Sequence, residues 1–409
     1  MPSGPCNTLH AMALSTDFTP LSLAVLPRRK RSLLKRLLRL FVIALVLLAI
    51  AGAAAWWQLT YPGVKARTLP ATAQSLRGSG GASAERLQAH VRALSENFPG
   101  RSFDQPAQLD LASNYIHAQL QALGAAPSRQ PVRVDGQAHY HNIVVRLGPK
   151  KGEAGGDAPL LVIGAHYDAV RTNGVAADSA PDAHSHTPGA DDNASGVAGL
   201  LELARLLVAH PPRQPVELVA YTLEEPPQFR TPQMGSYQHA AALANARQPL
   251  RMMLSLEMIG YFDDRPASQH YPVPGMTAIY PSAGNFLALI GQLSHFAATR
   301  ETYAQMLGGA QIDAADTAPL PVRALSAPAS LRGIDYSDHQ NYWRLGYPAL
   351  MVTDTSFMRN PHYHRSTDTW DKLDYRRMAQ AVNAVLAVAL AEPADPGQGV
   401  VPRAGDFLR

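Results

Sequence analysis

The sequence predicts an α/β protein: a three-layer α/β/α sandwich with a mixed, mainly parallel central sheet, preceded by one transmembrane helix. Three observations carry this reading. Short apolar runs of strand character alternate with segments of helical periodicity, as in strands joined by crossover helices. Several of those runs are apolar throughout, as expected of strands covered on both faces. A charge-free stretch, Leu40–Trp57, stands apart near the N-terminus. As a helix it is roughly 27 Å long, enough to span a bilayer core.

Taken in order, residues 1–39 form a leader that ends in "RRKRSLLKRLLR", Arg28 to Arg39, with seven basic residues and no acid. Residues 40–58 form the anchor in the lipid bilayer, with Trp56 and Trp57 at an aromatic belt. The basic flank places the N-terminus in the cytoplasm and everything after about residue 60 on the periplasmic or extracellular side. A cleaved signal peptide is the competing reading, but its apolar core would be shorter. A buried core helix would show a polar stripe. The run also accounts for the charge. The chain carries +4 in all; residues 1–60 hold seven basic residues and one acid, which leaves the remainder at −2. No basic patch follows, so no nucleic-acid partner is expected. The single cysteine, Cys6, rules out a disulfide framework and a cysteine-based zinc site within one chain.

Residues 59–83, rich in Gly, Pro and Ser, read as a stalk, and residues 84–392 as one catalytic-size domain. "AERLQAHVRALSENF" and "DLASNYIHAQLQALG" are amphipathic helices, the second stopped by Gly124. "HNIVVRLG", "APLLVIGAHYD", Val216–Thr222, "RMMLSLEMIG" and "YPALMVTDT" read as strands. Ala194–Ala209, Ser236–Ala246 and Tyr375–Ala391 read as helices. Met306–Leu331, rich in Ala and Pro, reads as a lid or an irregular insertion, and 393–409 as a loosely ordered tail.

Polar clusters fall where the strands end, which is where open α/β sheets bind ligands. They are His166 with Asp168, Asp191 with Asp192, Glu224 with Glu225, and Glu257. A late segment adds Tyr336, Asp338, His339, His362, His364 and Asp368. Each has a plain reading alone: a hydrogen-bonded histidine, a helix N-cap, a solvated loop. Together they would place many carboxylates at one sheet edge with almost no basic residues among them, at a cost of several kcal/mol. A divalent metal supplies the missing charge, and imidazole plus carboxylate suits zinc, with manganese or cobalt as alternatives.

The order H-x-D, G-A-D-D-N-x-S-G, E-E, a strand-end acid and a late H-x-x-x-D-T resembles the M28 family of zinc aminopeptidases over about residues 85–391. The resemblance implies a zinc-exopeptidase-like fold. It also implies two Zn²⁺ per chain, one being the alternative. His166 and Glu257 would hold one ion, Glu225 and His364 the other, and Asp191 would bridge them. Glu224 would be the general base, and Asp168 would orient His166. The Asp191–Asp192 peptide would be cis. Glu257 stands where the family usually has aspartate, which puts occupancy of its site in question. Tyr336 and Asp338 are candidates for substrate or oxyanion contacts, and His339 is structural. His364 is preferred to His362 for its spacing to "STDT". The implied activity is hydrolysis of N-terminal residues from peptides with a free N-terminus. The alternatives are a glutaminyl-cyclase-like zinc transferase and a non-catalytic membrane-tethered ectodomain.

Overall fold

A computed structural model describes residues 28–61, 63–78, 80–171, 186–312, 318–392 and 399–402. Residues 1–27 of the leader, and 393–398 and 403–409 of the tail, lie outside the described residues. The chain divides into two compact units, Met1–Trp56 and Trp57–Arg409. Helix α1 (Arg28–Thr60) supplies the first. From Ser32 to Thr60 its mean hydropathy reaches 2.6, and among the described residues it is the one helix long and apolar enough to cross a membrane.

The second unit begins with a departure from the sequence reading. Residues 59–83 are not a free stalk. Tyr61, Leu69, Ala73 and Leu76 are buried, the last two in and just after a short helix, α2 (Ala71–Ser75). The Tyr61 ring stacks on Phe296 with centroids 5.0 Å apart, and its hydroxyl bonds the Ser326 hydroxyl at 2.5 Å. The Arg67 N–H donates to the Ala304 carbonyl at 2.8 Å.

Helices α3 (Ala84–Asn97) and α4 (Pro106–Ala122) follow, α3 capped by the Ser83 hydroxyl, which accepts from the Arg86 N–H. The strands are β1 (Ser128–Val134), β2 (Gln137–Leu147), β3 (Leu160–His166), β4 (Val216–Tyr221), β5 (Leu250–Glu257), β6 (Leu287–Gln292), β7 (Val322–Ala327) and β8 (Ala349–Thr353). The remaining helices are α5 (Gly196–Ala209), α6 (Gly235–Asn245), α7 (Phe296–Gly309), α8 (His339–Arg344) and α9 (Tyr375–Leu390). Among the described residues the strands form one sheet in the order β1-β2-β4-β3-β5-β8-β6-β7. The middle four, β4, β3, β5 and β8, are parallel. The pair β6–β7 is parallel within itself but runs antiparallel to β8, so its N-terminal ends lie at the edge where β5 and β8 finish.

Within 306–331, read as a lid or an irregular insertion, the described residues include the end of α7 and strand β7, and 313–317 lie outside the described residues. Part of the tail is also fixed, since Val400 bridges to Leu250 at the start of β5. Every residue of β3, β4 and β8 is buried. On one face Leu161, Ile163, Leu218, Leu254 and Leu256 pack with α3, α5, α7 and α9. On the other, Leu160, Val162, Val219 and Met253 pack under α6 and α8. Alternate residues of each strand thus serve opposite layers, which produces the three-layer sandwich.

Candidate metal centre

The parallel strands deliver their polar residues to one edge. His166 is the last residue of β3 and Glu257 the last of β5. Glu224 and Glu225 follow β4, and His364 comes from the loop after β8. Asp191 and Asp192 lie in a tight turn, Ala190–Ser195, that enters α5. Gly189 opens this turn at φ 58°, and a side chain there would meet the Arg101 guanidinium at 2.7 Å. Asn193 and Ser195 tie the turn to the strand beside it: Asn193 Nδ2 donates to the Leu256 carbonyl at 2.8 Å, and the Ile259 N–H donates to Ser195 Oγ at 3.0 Å.

Three groups of ligand atoms lie within 4.8 Å of one another: His166, Asp192 and Glu257; Asp192, Glu225 and His364; and His166, Glu224 and Glu225. Asp192 belongs to two of them, with one oxygen turned to each side. Its Oδ1 is 3.4 Å from His166 Nε2, and its Oδ2 is 3.1 Å from His364 Nε2. Glu257 Oε2 lies 3.4 Å from His166 Nε2, and Glu225 Oε2 lies 3.5 Å from His364 Nε2.

The place between the two histidines is thus taken by Asp192, not by Asp191, the residue the sequence suggested as the bridge. Asp191 turns the other way: its Oδ1 accepts from the Gly260 N–H at 3.0 Å and its Oδ2 from Asn360 Nδ2 at 2.7 Å. The reason is local. Neighbouring side chains in this turn project to opposite sides, and Asp192 and Asn193 leave helical geometry. The cis peptide is correspondingly one residue later, at Asp192–Asn193 rather than Asp191–Asp192.

Supporting groups surround the centre. Asp168 accepts from the backbone N–H groups of Glu224 and Glu225 at 3.1 and 3.0 Å, and lies 3.4 Å from His166 Nδ1. Asp368 accepts from the N–H groups of Asp191 and Asp192, so it fixes the turn from behind. Ser337 Oγ donates to Glu257 Oε2 at 2.8 Å and is itself bonded to Ser255. His362 stays outside, bonded to Thr367. His339 bonds the Ile334 carbonyl. Tyr336 packs edge-on against Phe229, and Asp338 is buried beside Ser236.

Several of these groups escape sequence reasoning. Arg101 is fully buried, and its guanidinium binds four carbonyls, those of Leu94, Tyr167, Pro188 and Gly189. Tyr363 stacks on His364 at 3.7 Å, and burial together with Asp192, Glu225, Glu257 and Glu224 drives its phenol upward. Its adjacency to His364 was the one available signal.

The electrostatics ask for a cation. Burial raises Glu225, aided by Asp192 and Glu224, and burial also raises Glu224 and Glu257. Burial alone would lower His166, but Glu257, Asp168 and Asp192 outweigh it and push it up. His166 Nε2 and Glu225 Oε1 are buried without hydrogen-bond partners although both lie in the cluster. Buried polar atoms of this kind normally find partners. Two imidazoles and three carboxylates form a donor set that fits zinc.

The profile of Peptidase family M28 matches residues 142–389. The YfbL protein of Escherichia coli K12 is 44% identical over 307 residues, covering 75% of this chain and 88% of that protein. A probable aminopeptidase of Saccharomyces cerevisiae is 26% identical over 261 residues, 61% of this chain and 56% of that one. In fold, a Bacteroides thetaiotaomicron glutaminyl cyclase matches with a TM-score of 0.54 at 19% identity, over 76% of this chain and 99% of the cyclase. With sheet, strand-end cluster and profile in agreement, the chain belongs to peptidase family M28, the zinc metallopeptidases its motifs resemble.

Proposed function

We propose that the protein is a zinc aminopeptidase that removes N-terminal residues from peptides and is held to a membrane by α1, with the basic flank cytoplasmic and the second unit outside. The observation that carries this reading is the sharing of Asp192 between two ligand groups, with Glu224 beside both. His166, Asp192 and Glu257 would hold one zinc ion, and Asp192, Glu225 and His364 the other. The ions would supply Lewis-acid polarisation of the scissile carbonyl and a water whose pKa falls toward ~7.

The chain's own residues then do the rest. Glu224 accepts the proton of the attacking water and passes it to the leaving amine. Burial first raises its carboxyl above the ordinary glutamate range, the direction that favours a group which must act as an acid as well as a base. Asp168 holds His166 Nδ1 so that Nε2 points into the centre. Tyr363, stacked on His364 with its phenol pushed upward by burial and by the nearby carboxylates, would donate to the developing oxyanion. A cavity of about 80 Å³ opens beside Glu257, and room for one side chain supports attack at a chain end.

Full-length protein in detergent is expected to retain zinc and to release p-nitroaniline from aminoacyl-p-nitroanilides, with loss on chelation. Glu224→Gln should keep its zinc by elemental analysis while kcat falls about 10²–10⁴-fold. Loss of zinc in that variant would move Glu224 into the ligand set. Cyclisation of N-terminal glutamine without amide hydrolysis would instead make the protein a cyclase.

A further inference from the structure

The cavity beside Glu257 has a floor set by strand register. Glu257 on β5 pairs with Thr353 on β8, Thr353 with Ala288 on β6, and Ala288 with Arg323 on β7. Residues paired across strands share a face, so these four form one row. Three strand spacings separate its ends by about 14 Å. All four line the cavity, and small Ala288 leaves open the space between Glu257 and Arg323. The next row, Met351, Ile290 and Leu325, is apolar and lines it too.

Two guanidinium groups border this apolar space. Arg323 donates to the Val322 carbonyl at 3.0 Å and bonds the Tyr303 hydroxyl, neither of them anionic. Arg332 at the rim lies 5.0 Å over the Phe357 ring. Among the described residues neither forms an ion pair, whereas Arg230, Arg265 and Arg377 all do. Among the described residues Glu257 is the only acid in the cavity wall, and it stands at the end nearest the candidate metal centre.

Resting on the aminopeptidase reading, we infer that this cavity selects substrates whose N-terminal residue has an acidic side chain, glutamate ahead of aspartate, with Arg323 binding the carboxylate. The apolar walls strengthen an ion pair relative to water. A guanidinium offers paired N–H donors to a carboxylate. A lysine or arginine side chain would meet two positive charges. The longer glutamate stem spans more of the row than aspartate does.

The test compares kcat/KM of the zinc-supplemented full chain in detergent for glutamyl, aspartyl, leucyl and lysyl p-nitroanilides. The glutamyl substrate is expected to exceed the leucyl at least tenfold, with lysyl poorest. Arg323→Gln should reduce the glutamyl-to-leucyl ratio at least tenfold, chiefly through KM. Arg323→Lys should retain part of the preference, and Arg332→Ala should lower it less. A leucyl or lysyl preference in the wild type, or an unchanged ratio in Arg323→Gln, would overturn the proposal. Calorimetric binding of glutamate hydroxamate against leucine hydroxamate tests the cavity without turnover, and tighter leucine binding would also overturn it. Absence of turnover on every anilide would remove the aminopeptidase reading, and the calorimetry would still decide what the cavity prefers.

Discussion

Adjacent aspartates do unlike work in this protein, and their assignment is testable at single-residue resolution. Asp192 sits between His166 and His364, while Asp191 is consumed by Gly260 and Asn360. Asp192→Asn should therefore lose most bound zinc by elemental analysis. Asp191→Asn should keep its zinc and lose stability, as expected when a buried hydrogen-bonded acid is altered. Equal zinc loss in both would return Asp191 to the centre. The cluster itself was legible in the sequence because His166, Glu224, Glu225 and Glu257 end apolar runs without compensating cations. Which aspartate points inward was not, since it depends on backbone angles at Asp192 (φ −105°, ψ 90°) that spacing does not encode. Ser337 was equally hidden: its bond to Glu257 joins segments 80 residues apart. That bond holds one oxygen of the Glu257 carboxylate in place.

At the level of elements, the long parallel core was easy to read and its margins were not. Strands β3, β4 and β8 are buried along their whole length and, apart from Glu217 and the terminal His166 and Thr353, apolar, so burial on two faces shows in composition. Strands β6 and β7, "LALIGQ" and "VRALSA", carry polar or half-exposed positions, which blurs the pattern. The Gly- and Pro-rich segment after α1 looked like a linker because composition reports local stiffness and says nothing of docking. Tyr61 nevertheless packs on Phe296 and bonds Ser326. Tyr61→Ala is expected to cost about 3 kcal/mol, in the range for emptying a large buried ring site. Denaturant unfolding of the full chain would measure it. No change would make the segment a linker after all.

For the molecule as a whole, the concentration of buried acid sets a pH dependence. Burial pushes Asp338 up to about 7 and Asp354 up to about 6. An unfolded aspartate ionises near 3.9. Between about pH 4 and 7 the folded, metal-free protein thus binds more protons than the unfolded chain, so stability falls as pH rises through that window. Metal-stripped protein should melt at a higher temperature at pH 5 than at pH 7.5. The opposite order would mean that these carboxyls ionise freely. The direction of β6 and β7 carries one more consequence. Because they run against β8, the residues entering them, rather than leaving them, reach the site edge: Tyr271, Tyr280 and Phe286 precede β6 and wall the cavity. The ligands come instead from the ends of β3 and β5 and the loops after β3, β4 and β8. Only Glu257 and the segment after β8 serve both, so substitutions in the approach to β6 reshape the cavity while every candidate metal-binding residue stays in place.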